Sequence, residues 1–581
     1  MQMPKLPTSA GRSLSALTGM FLFSATAAFV LWQNAHLTVL WDLSYILENA
    51  SRIALGQLPY RDFPFPYAPL TFLIQAAIIK LAGRAVWHHY LYAACAAGAA
   101  SLLTWRILLR LLSASRLPAR LLASLLAAPM IFLGTSSIFP HPFYDADCTL
   151  LILFCLWTLL KLEEKGFPPR LTFLCGALLV LPPLAKQNTG LAFLLSAVVC
   201  LAWLAFCNRH LAGQGTGAPY LPSFGRCGIL LVGTIVGCAL AVAALHFTVG
   251  LHNYLLWTVH FAASRRLPAL SNIVEIYRDP ALLAGYVTFA AGAALLLLLP
   301  ASRRKLRWLA AALLCYPSAG ALSGLFRYED PADRVEPLLH LWPVLLLAAT
   351  VAALIQLWRA RSVAQILPAI LLGSIHGAFL SQQLWGSTYA LWPLLAILIA
   401  AILAALAEAQ PRTNPTRPLI AFALFASVVL GITGGYYALS HERLSYVDLD
   451  GELHHSRLPS LRGLAIAGDW LPDFEELADY AAREIPRDDA ILAIPGEDLF
   501  YFTTGRTPRF PVVMMDHTVN PYSAAELASL ARRRNVRWVI VKRRLQLQEE
   551  PIPFRAQLLE ELSRDFVPAA ELDNYDIYRR R

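Results

Sequence analysis

Charged residues are scarce in this sequence: only 15% of its 581 positions are Asp, Glu, Lys or Arg, while 57% are hydrophobic and the mean hydropathy is +0.52. A water-soluble globular chain carries about a quarter of its residues charged, so a soluble enzyme is excluded and a membrane protein is implied. Acid is scarcest before Ser440, where 14 Asp/Glu stand against 29 Lys/Arg; from Ser440 onward the numbers are 24 and 19. The net charge of +10 therefore comes from the apolar part, where cations flank spans on the cytoplasmic side. A nucleic-acid partner is not implied. Cysteine is absent after Cys315, and most of the 9 cysteines sit inside apolar runs as small hydrophobes, so no disulfide framework is needed. A Gly-x-Gly-x-x-Gly phosphate loop is missing as well: Gly496 follows a strand-like run alone, which marks a turn and gives no nucleotide site.

What is present is a succession of apolar runs. Lys5 and Arg12 precede the run 14–31, which is close to the ~20 residues a span needs. No small-residue cleavage site followed by a soluble domain appears, so this reads as an uncleaved first helix with its N-terminus inside. A polar, aromatic first outer loop follows within 33–86. The run 69–82 is short for a span and reads as re-entrant or interfacial. With that segment not crossing, the basic clusters at Arg106–Arg120, Lys161–Arg170, Arg209, Arg303–Arg307, Arg359–Arg361 and Arg412–Arg417 all fall inside, and about thirteen crossings result. Outer-facing segments include 141–147, 251–280, 326–336, a turn near Trp385 and everything beyond the span 419–438.

The predicted fold class is thus a polytopic α-helical membrane protein with a transmembrane part over 1–439 and an extracytoplasmic α/β domain over 440–581. In the latter, strand-like runs at 490–494, 511–515 and 536–541 alternate with helical ones such as 523–533.

This topology puts Asp42, Glu48, Asp62, Asp145, Asp147, Glu275, Asp279, Glu329, Asp330, Asp333 and Glu336 outside, and only Glu163, Glu164 and Glu408 inside. None is mid-span. Machines that carry ions or protons through the bilayer need ionisable groups at depth, so chemistry at the outer surface fits better. Asp42 directly follows the first outer boundary, where partial desolvation raises basicity. It suits a general base taking a proton from an acceptor hydroxyl; a plain helix-capping role is compatible with that. Asp145 and Asp147 open an inward-running span, where the helix dipole favours acids whatever their function. Beside His141 and Tyr144 they suit acceptor orientation or a divalent ion. Lys186, with Gln187, Asn188 and Thr189, offers a cation and donors to an anionic lipid phosphate, or simply snorkels. Arg265, Arg266, Arg327 and Arg334 lie outside against the positive-inside rule and suit local acids, a pyrophosphate or an anionic acceptor.

The segments Trp41-Asp42-Leu43-Ser44-Tyr45, Ala54 through Phe63 and Tyr67-Ala68-Pro69-Leu70, with Asp147 and Ala185 through Gly190, resemble the first outer loop and following spans of GT-C glycosyltransferases. The similarity is to bacterial relatives of protein O-mannosyltransferases and of the lipid A aminoarabinose transferase. It runs over roughly the first 200 residues by motif and over the whole chain by architecture. It implies Asp42 and Asp147 as catalytic acids, a polyprenyl-phosphate-linked sugar as donor and inversion at the sugar. Substrate-binding candidates are Tyr45, Tyr60, Asp62, Tyr67, His141, Asp145, Lys186, Gln187, Arg265 and Arg327. A divalent cation, if one is used, falls to Asp42 and Asp147. Two departures stand out: Asp42-Leu43 replaces the Asp-Glu of many relatives, and Tyr67-Ala68-Pro69-Leu70 replaces a Lys-Pro-Pro-Leu-like stretch. The phosphate-holding task of that lysine passes to Lys186 or an outer arginine.

The expected function is transfer of a sugar to a lipid, glycan or protein acceptor at the outer face of a bacterial inner membrane. The partners are the lipid bilayer, the lipid-linked donor and that acceptor, with no nucleic acid. Two other readings remain: a transporter or flippase of a lipid-linked sugar, which predicts polar groups at depth, and a lipid-pyrophosphate-dependent glycan polymerase or ligase.

Overall fold

The computed structural model describes residues 9–37, 39–212, 224–266, 270–329, 331–358, 360–381, 388–439, 447, 452–546 and 553–581. The turn near Trp385, Asp330, Arg359, the side chains of Arg266 and Glu336, and the boundary at Ser440 lie outside the described residues.

Uninterrupted runs of Leu, Ala, Val and Phe make the first part of the chain helical. In order come α1 (Ser9–Asn34), α2 (Trp41–Ala54), α3 (Leu70–Ala82), α4 (Val86–Ser113), α5 (Ala119–Ala127), α6 (Tyr144–Glu164), α7 (Pro169–Leu178), α8 (Leu181–Ala185), α9 (Gln187–Ala212) and α10 (Phe224–Thr248). Longer apolar helices follow, among them Arg304–Arg327, Leu341–Trp358, Val363–Ala378, Trp392–Ala409 and Arg417–Leu439. Nine helices among the described residues are long and apolar enough to cross a membrane, and α3, the α5 segment, the α7–α8 segment and Val363–Ala378 are shorter apolar helices. The protein is a polytopic helical membrane protein. Many large apolar side chains on its helices face outward, such as Leu14, Phe21, Leu240 and Leu354, as expected where lipid replaces water.

Close helix crossings occur at small residues. A Cβ on Gly98 of α4 would lie 2.8 Å from the Phe23 carbonyl oxygen of α1, and one on Gly176 of α7 would lie 2.0 Å from the Leu230 carbonyl oxygen of α10. Trp392–Ala409 is buried on nearly every side and forms the middle of the bundle.

The two ends of the bundle differ. At one, the guanidinium of Arg307 donates to the Leu299 carbonyl at 3.0 Å and to Gln410 Oε1 at 2.6 Å, and Arg116 donates to the Gln410 carbonyl at 2.9 Å. These arginines tie the turns of that end together. At the other end sits the C-terminal part of the chain. There β1 (Leu453–His455) and β2 (Ala465–Ala467) form an antiparallel pair. A second sheet has the order β3 (Ala490–Ile494), β4 (Val536–Lys542), β6 (Tyr575–Arg580), β5 (Phe566–Glu571), with β3 and β4 parallel and the other pairs antiparallel. The helix Ala524–Arg533 begins with a capping box in which Ser523 and Glu526 satisfy each other's backbone N–H. The run 511–515 is not a strand. Its backbone is drawn instead against the turn after β3, where Gly496 (φ +87°) leaves no room for a Cβ beside the Val513 carbonyl.

The C-terminal domain docks on α2 and on the turn between α3 and α4. The Phe502 N–H donates to Glu48 Oε1 at 3.1 Å, Arg52 donates to the Pro511 carbonyl at 2.8 Å, and Gln57 to the Pro508 carbonyl at 2.8 Å. Helix α2 is amphipathic rather than uniformly apolar, which suits a helix lying between lipid-facing and water-facing parts. Both ends of α3 touch this same end of the bundle: Thr71 at its start meets α6, and Arg84 just after its end donates to the Phe502 carbonyl.

Candidate active site

A pair of prolines shapes the site. Pro182 and Pro183 stand at the start of the short α8, and the helix cannot run on smoothly into α9. Lys186 sits in the break with extended backbone (φ −145°, ψ 121°), and α9 begins at Gln187. The two helices cross very tightly. A Cβ on Gly190 would come within 2.3 Å of the Pro182 carbonyl carbon, so only glycine lets α9 start here. The first-turn N–H groups of α9 have no intrahelical partner and point out of its N-terminus, where the dipole favours an anion.

Lys186 and the start of α9 open onto a cavity of about 350 Å³. Its walls are Pro66 and Tyr67 from the α2–α3 loop, Tyr144 from α6, Lys186, Gln187, Asn188 and Leu191 from the α8–α9 break, Thr258, Val259, Ala262 and Ala263, and Leu380, Ser381 and Tyr389. Thr258 and Val259 belong to a π-helical segment, Leu256–Phe261, of the kind frequently found at functional sites. Leu191 and Val259 are half exposed on the bundle surface, so the apolar side of the cavity reaches the lipid-facing surface.

Charge in the cavity wall is arranged as an ion pair. Lys186 Nζ contacts Asp145 Oδ1 with both side chains nearly buried, and the ammonium lies 5.9 Å from the centre of the Tyr144 ring. Asp145 spends one oxygen on the lysine; the other is buried without a hydrogen-bond partner among the described residues. An ammonium has three donors, so two remain for a ligand. Asn188 donates to the Gly377 carbonyl at 2.8 Å and satisfies the C-terminal end of Val363–Ala378, while Gln187 donates to the Pro66 carbonyl at 3.0 Å and fastens the α2–α3 loop to α9.

Aromatic rings continue the wall. Tyr144 packs on Tyr67 at 4.7 Å, Tyr67 on Tyr45 at 5.3 Å, and Tyr45 on Phe72 at 6.1 Å. Asp42 lies three residues before Tyr45 on α2, hence on the same helix face one turn nearer the start. It is half-buried.

The remaining sequence candidates separate into three groups. Tyr60 and Asp62 shape the loop: Tyr60 (φ +66°) donates its hydroxyl to the Tyr67 carbonyl at 2.7 Å, accepts from Trp257 Nε1 at 3.1 Å through its own carbonyl, and Asp62 accepts from the Leu58 N–H at 2.7 Å and from Arg61. Asp147 faces the neighbouring helices. Thr71 of α3 donates to its Oδ2 at 2.7 Å and Tyr92 of α4 to its Oδ1 at 2.8 Å, and it is not among the cavity-lining residues. His141 is fully buried between Phe139 and Phe143, and burial pushes its ring down to about 4, which leaves it neutral. Arg265 lines a separate cleft of about 420 Å³ with Trp41, Asp516, His517 and Glu526, and Arg327 is exposed at the end of its helix.

The carboxylate that meets the cavity's lysine is thus Asp145, with Asp147 one turn-edge away and turned into the bundle. Tyr389, Thr258 and Ser381 were not singled out from sequence. They come from segments more than seventy residues downstream of Lys186, and only the tertiary fold brings them to it.

Each Asp147 oxygen accepts one hydroxyl hydrogen and keeps a lone pair, but no cluster of three or more His, Cys, Asp or Glu side chains suited to a metal gathers at Asp42, at Asp147 or elsewhere among the described residues. No reaction step is therefore routed through a metal.

Fold and site together define a polytopic membrane protein with a laterally open cavity that carries a lysine and a helix N-terminus. No protein-family model matches the sequence, and no curated protein matches it. Among solved structures, the chain is similar to the oligosaccharyltransferase of Archaeoglobus fulgidus, in a complex with Zn and sulfate, at 14% identity and TM-score 0.46 over 90% of this chain and 68% of that one. It is also similar to ArnT from Cupriavidus metallidurans bound to undecaprenyl phosphate, at 13% identity and TM-score 0.40 over 96% and 97%. Both are GT-C glycosyltransferases, the class that the N-terminal motifs resemble. At these identities and scores the likeness assigns no activity.

Proposed function

We propose that the protein is a membrane glycosyltransferase that takes a sugar from a polyprenyl-phosphate-linked donor and passes it, with inversion, to a hydroxyl of a lipid, glycan or protein acceptor at the outer face of the membrane. The observation that carries this reading is the placement of Lys186 and the N-terminus of α9 in one cavity that is lined by tyrosines and open toward lipid. A lipid phosphate needs a cation and N–H donors, its polyprenyl chain needs an apolar exit, and a sugar stacks well on aromatic rings. All three are present within one volume.

In the reaction so drawn, the acceptor oxygen attacks the anomeric carbon from the face opposite the phosphate. The bond from that carbon to the phosphate oxygen breaks and its electron pair leaves on the polyprenyl phosphate. Lys186 and the first-turn N–H groups of α9 stabilise the growing phosphate charge, an electrostatic contribution of the kind worth about 3 kcal/mol for a single donor. Asp42 receives the acceptor's proton. Asp145 orients Lys186, and Asp147 is a positioning residue that locks α3 and α4 to the start of α6.

The test is transfer from radiolabelled polyprenyl-phosphate sugars by the protein in proteoliposomes. Lys186→Met should reduce kcat/KM by about 100-fold or more, and Asp42→Asn should reduce kcat with little change in donor binding. Full activity in Asp42→Asn removes that residue from the mechanism, and full activity in Lys186→Met removes the reading of the cavity.

A further inference from the structure

A cleft of about 420 Å³ opens beside the start of α2, where the bundle meets the C-terminal domain. Sites for small ligands run from about 300 to 1,000 Å³. Trp41 of α2 and Arg265 of the short helix Ala262–Arg266 form one wall, and the irregular segment 515–523 with the helices Ala524–Arg533 and Pro553–Leu562 forms the other.

Two kinds of group line the cleft. Trp41, Tyr522 and Phe554 are half-buried, so each ring keeps part of its surface open. Arg265, Asp516, His517 and Glu526 supply hydrogen-bond donors and acceptors alongside them. These polar groups are held before any ligand arrives. The Arg265 guanidinium lies 5.5 Å from the centre of the Phe261 ring. Asp516 accepts the Thr518 N–H through Oδ1 at 2.7 Å, and its Oδ2 lies 3.8 Å from His517 Nδ1. Glu526 accepts the Ser523 N–H and hydroxyl through Oε2 at 2.8 Å each, which leaves Oε1 facing outward from the capping box for a ligand. A site set in advance loses little ordering entropy on binding.

One ligand class uses both kinds of group. The C–H face of a sugar ring sits on the electron-rich face of an aromatic ring, and its hydroxyls donate to carboxylates and accept from a guanidinium. A lipid chain would strip water from Arg265, Asp516 and Glu526 and return no hydrogen bond. An extended peptide pairs with a strand edge, and none of the lining residues belongs to a strand.

The cleft also borders the cavity at Lys186. One helical turn after Trp41 comes Tyr45, which packs on Tyr67 of the cavity wall at 5.3 Å. Two residues before Arg265 comes Ala263, which is itself in that wall. Two separate segments thus run from one volume to the other, and Asp42 belongs to the turn of α2 that joins Trp41 to Tyr45.

We propose that this cleft binds a saccharide unit of the acceptor, so that the acceptor is a glycan. The inference rests on the transferase reading and narrows its acceptor. Trp41 stacks on the sugar ring, Arg265 and the two carboxylates take its hydroxyls, and the attacking hydroxyl is presented at the first turn of α2.

The test is binding of the full-length protein, in detergent and without donor, to an array of hexose, N-acetylhexosamine, pentose and deoxyhexose oligomers. The native chain should bind at least one series, and Trp41→Ala and Arg265→Gln should each weaken that binding by about tenfold. Arg265 is exposed, so its variant should keep the native circular-dichroism spectrum even where Trp41→Ala does not. Arg537→Gln, at an exposed arginine on β4, serves as the control and should bind as the native chain does. A silent array, unchanged binding by Arg265→Gln, or Arg265-dependent binding to arrayed peptides or to liposomes instead would each overturn the assignment. Because the array contains no donor, a silent array beside intact sugar transfer removes the glycan cleft alone, whereas glycan binding without any transfer removes the transferase reading alone.

Discussion

Lys186 and Asp145 meet in a nearly dry contact, and a buried pair of this kind is costly to break from one side. Lys186→Met should therefore lower stability by about 3–5 kcal/mol, read as a fall in melting temperature in detergent, because Asp145 is left charged and alone. The double change Lys186→Met/Asp145→Leu should recover most of that loss while transfer stays absent. Recovery of both together would mean that the lysine serves packing only. Asp147 makes a contrasting expectation. Its partners are two hydroxyls, so Asp147→Leu strands the Thr71 and Tyr92 donors at about 1–3 kcal/mol each; the loss should appear in thermal stability before it appears in KM for the donor.

At the scale of elements, the break between α8 and α9 sets the direction of the lysine. Gly190→Val forces a side chain into the Pro182–Pro183 backbone and should push the two helices apart, costing about 1–3 kcal/mol. Donor KM should rise more than kcat falls, since the phosphate-facing end of α9 is what moves. Part of this was legible before any coordinates. Lys186-Gln187-Asn188 at the outer end of the run 171–184 marks a span ending in donors, whereas the helix break at Pro182-Pro183 was not singled out from sequence. The run 511–515 was not legible, because Val512, Val513 and Met514 are apolar enough for a strand yet are buried against the turn at Gly496 without a ladder partner. The orientation of Asp147 was equally hidden. Two acids two positions apart at a helix start look alike in sequence, and only the hydroxyls of Thr71 and Tyr92, from helices over fifty residues upstream, tell them apart. The antiparallel pair β5–β6 at the chain's end was also missed, its alternation being diluted by charged residues on the exposed face.

For the whole molecule, the contact between α2 and the C-terminal domain matters most. Burial pushes the Glu48 carboxyl up to about 8 from its ordinary 4.5, against the lowering effect of the Phe502 N–H. The docked state holds the proton more tightly than the open one, so docking is strongest below about pH 4.5 and weakens as pH rises through 8. Hydrogen exchange in 500–504 should accordingly quicken between those values, and Glu48→Gln should remove the dependence; a flat profile in the native chain would contradict the coupling. Inside the domain, Lys542 meets Glu497 at 2.5 Å and Asp498 at 2.8 Å, and Tyr575 and Trp470 also donate to Asp498. Lys542→Met should unfold this domain more readily, again by about 3–5 kcal/mol. Because Glu48 and Arg52 of α2 and Gln57 of the loop that follows it bond to that same domain, the two halves are expected to unfold as one cooperative unit. A calorimetric scan should show a single endotherm, and severing the chain behind the last span should slacken the tyrosine wall at Tyr45, Tyr67 and Tyr144, hundreds of residues upstream of the cut.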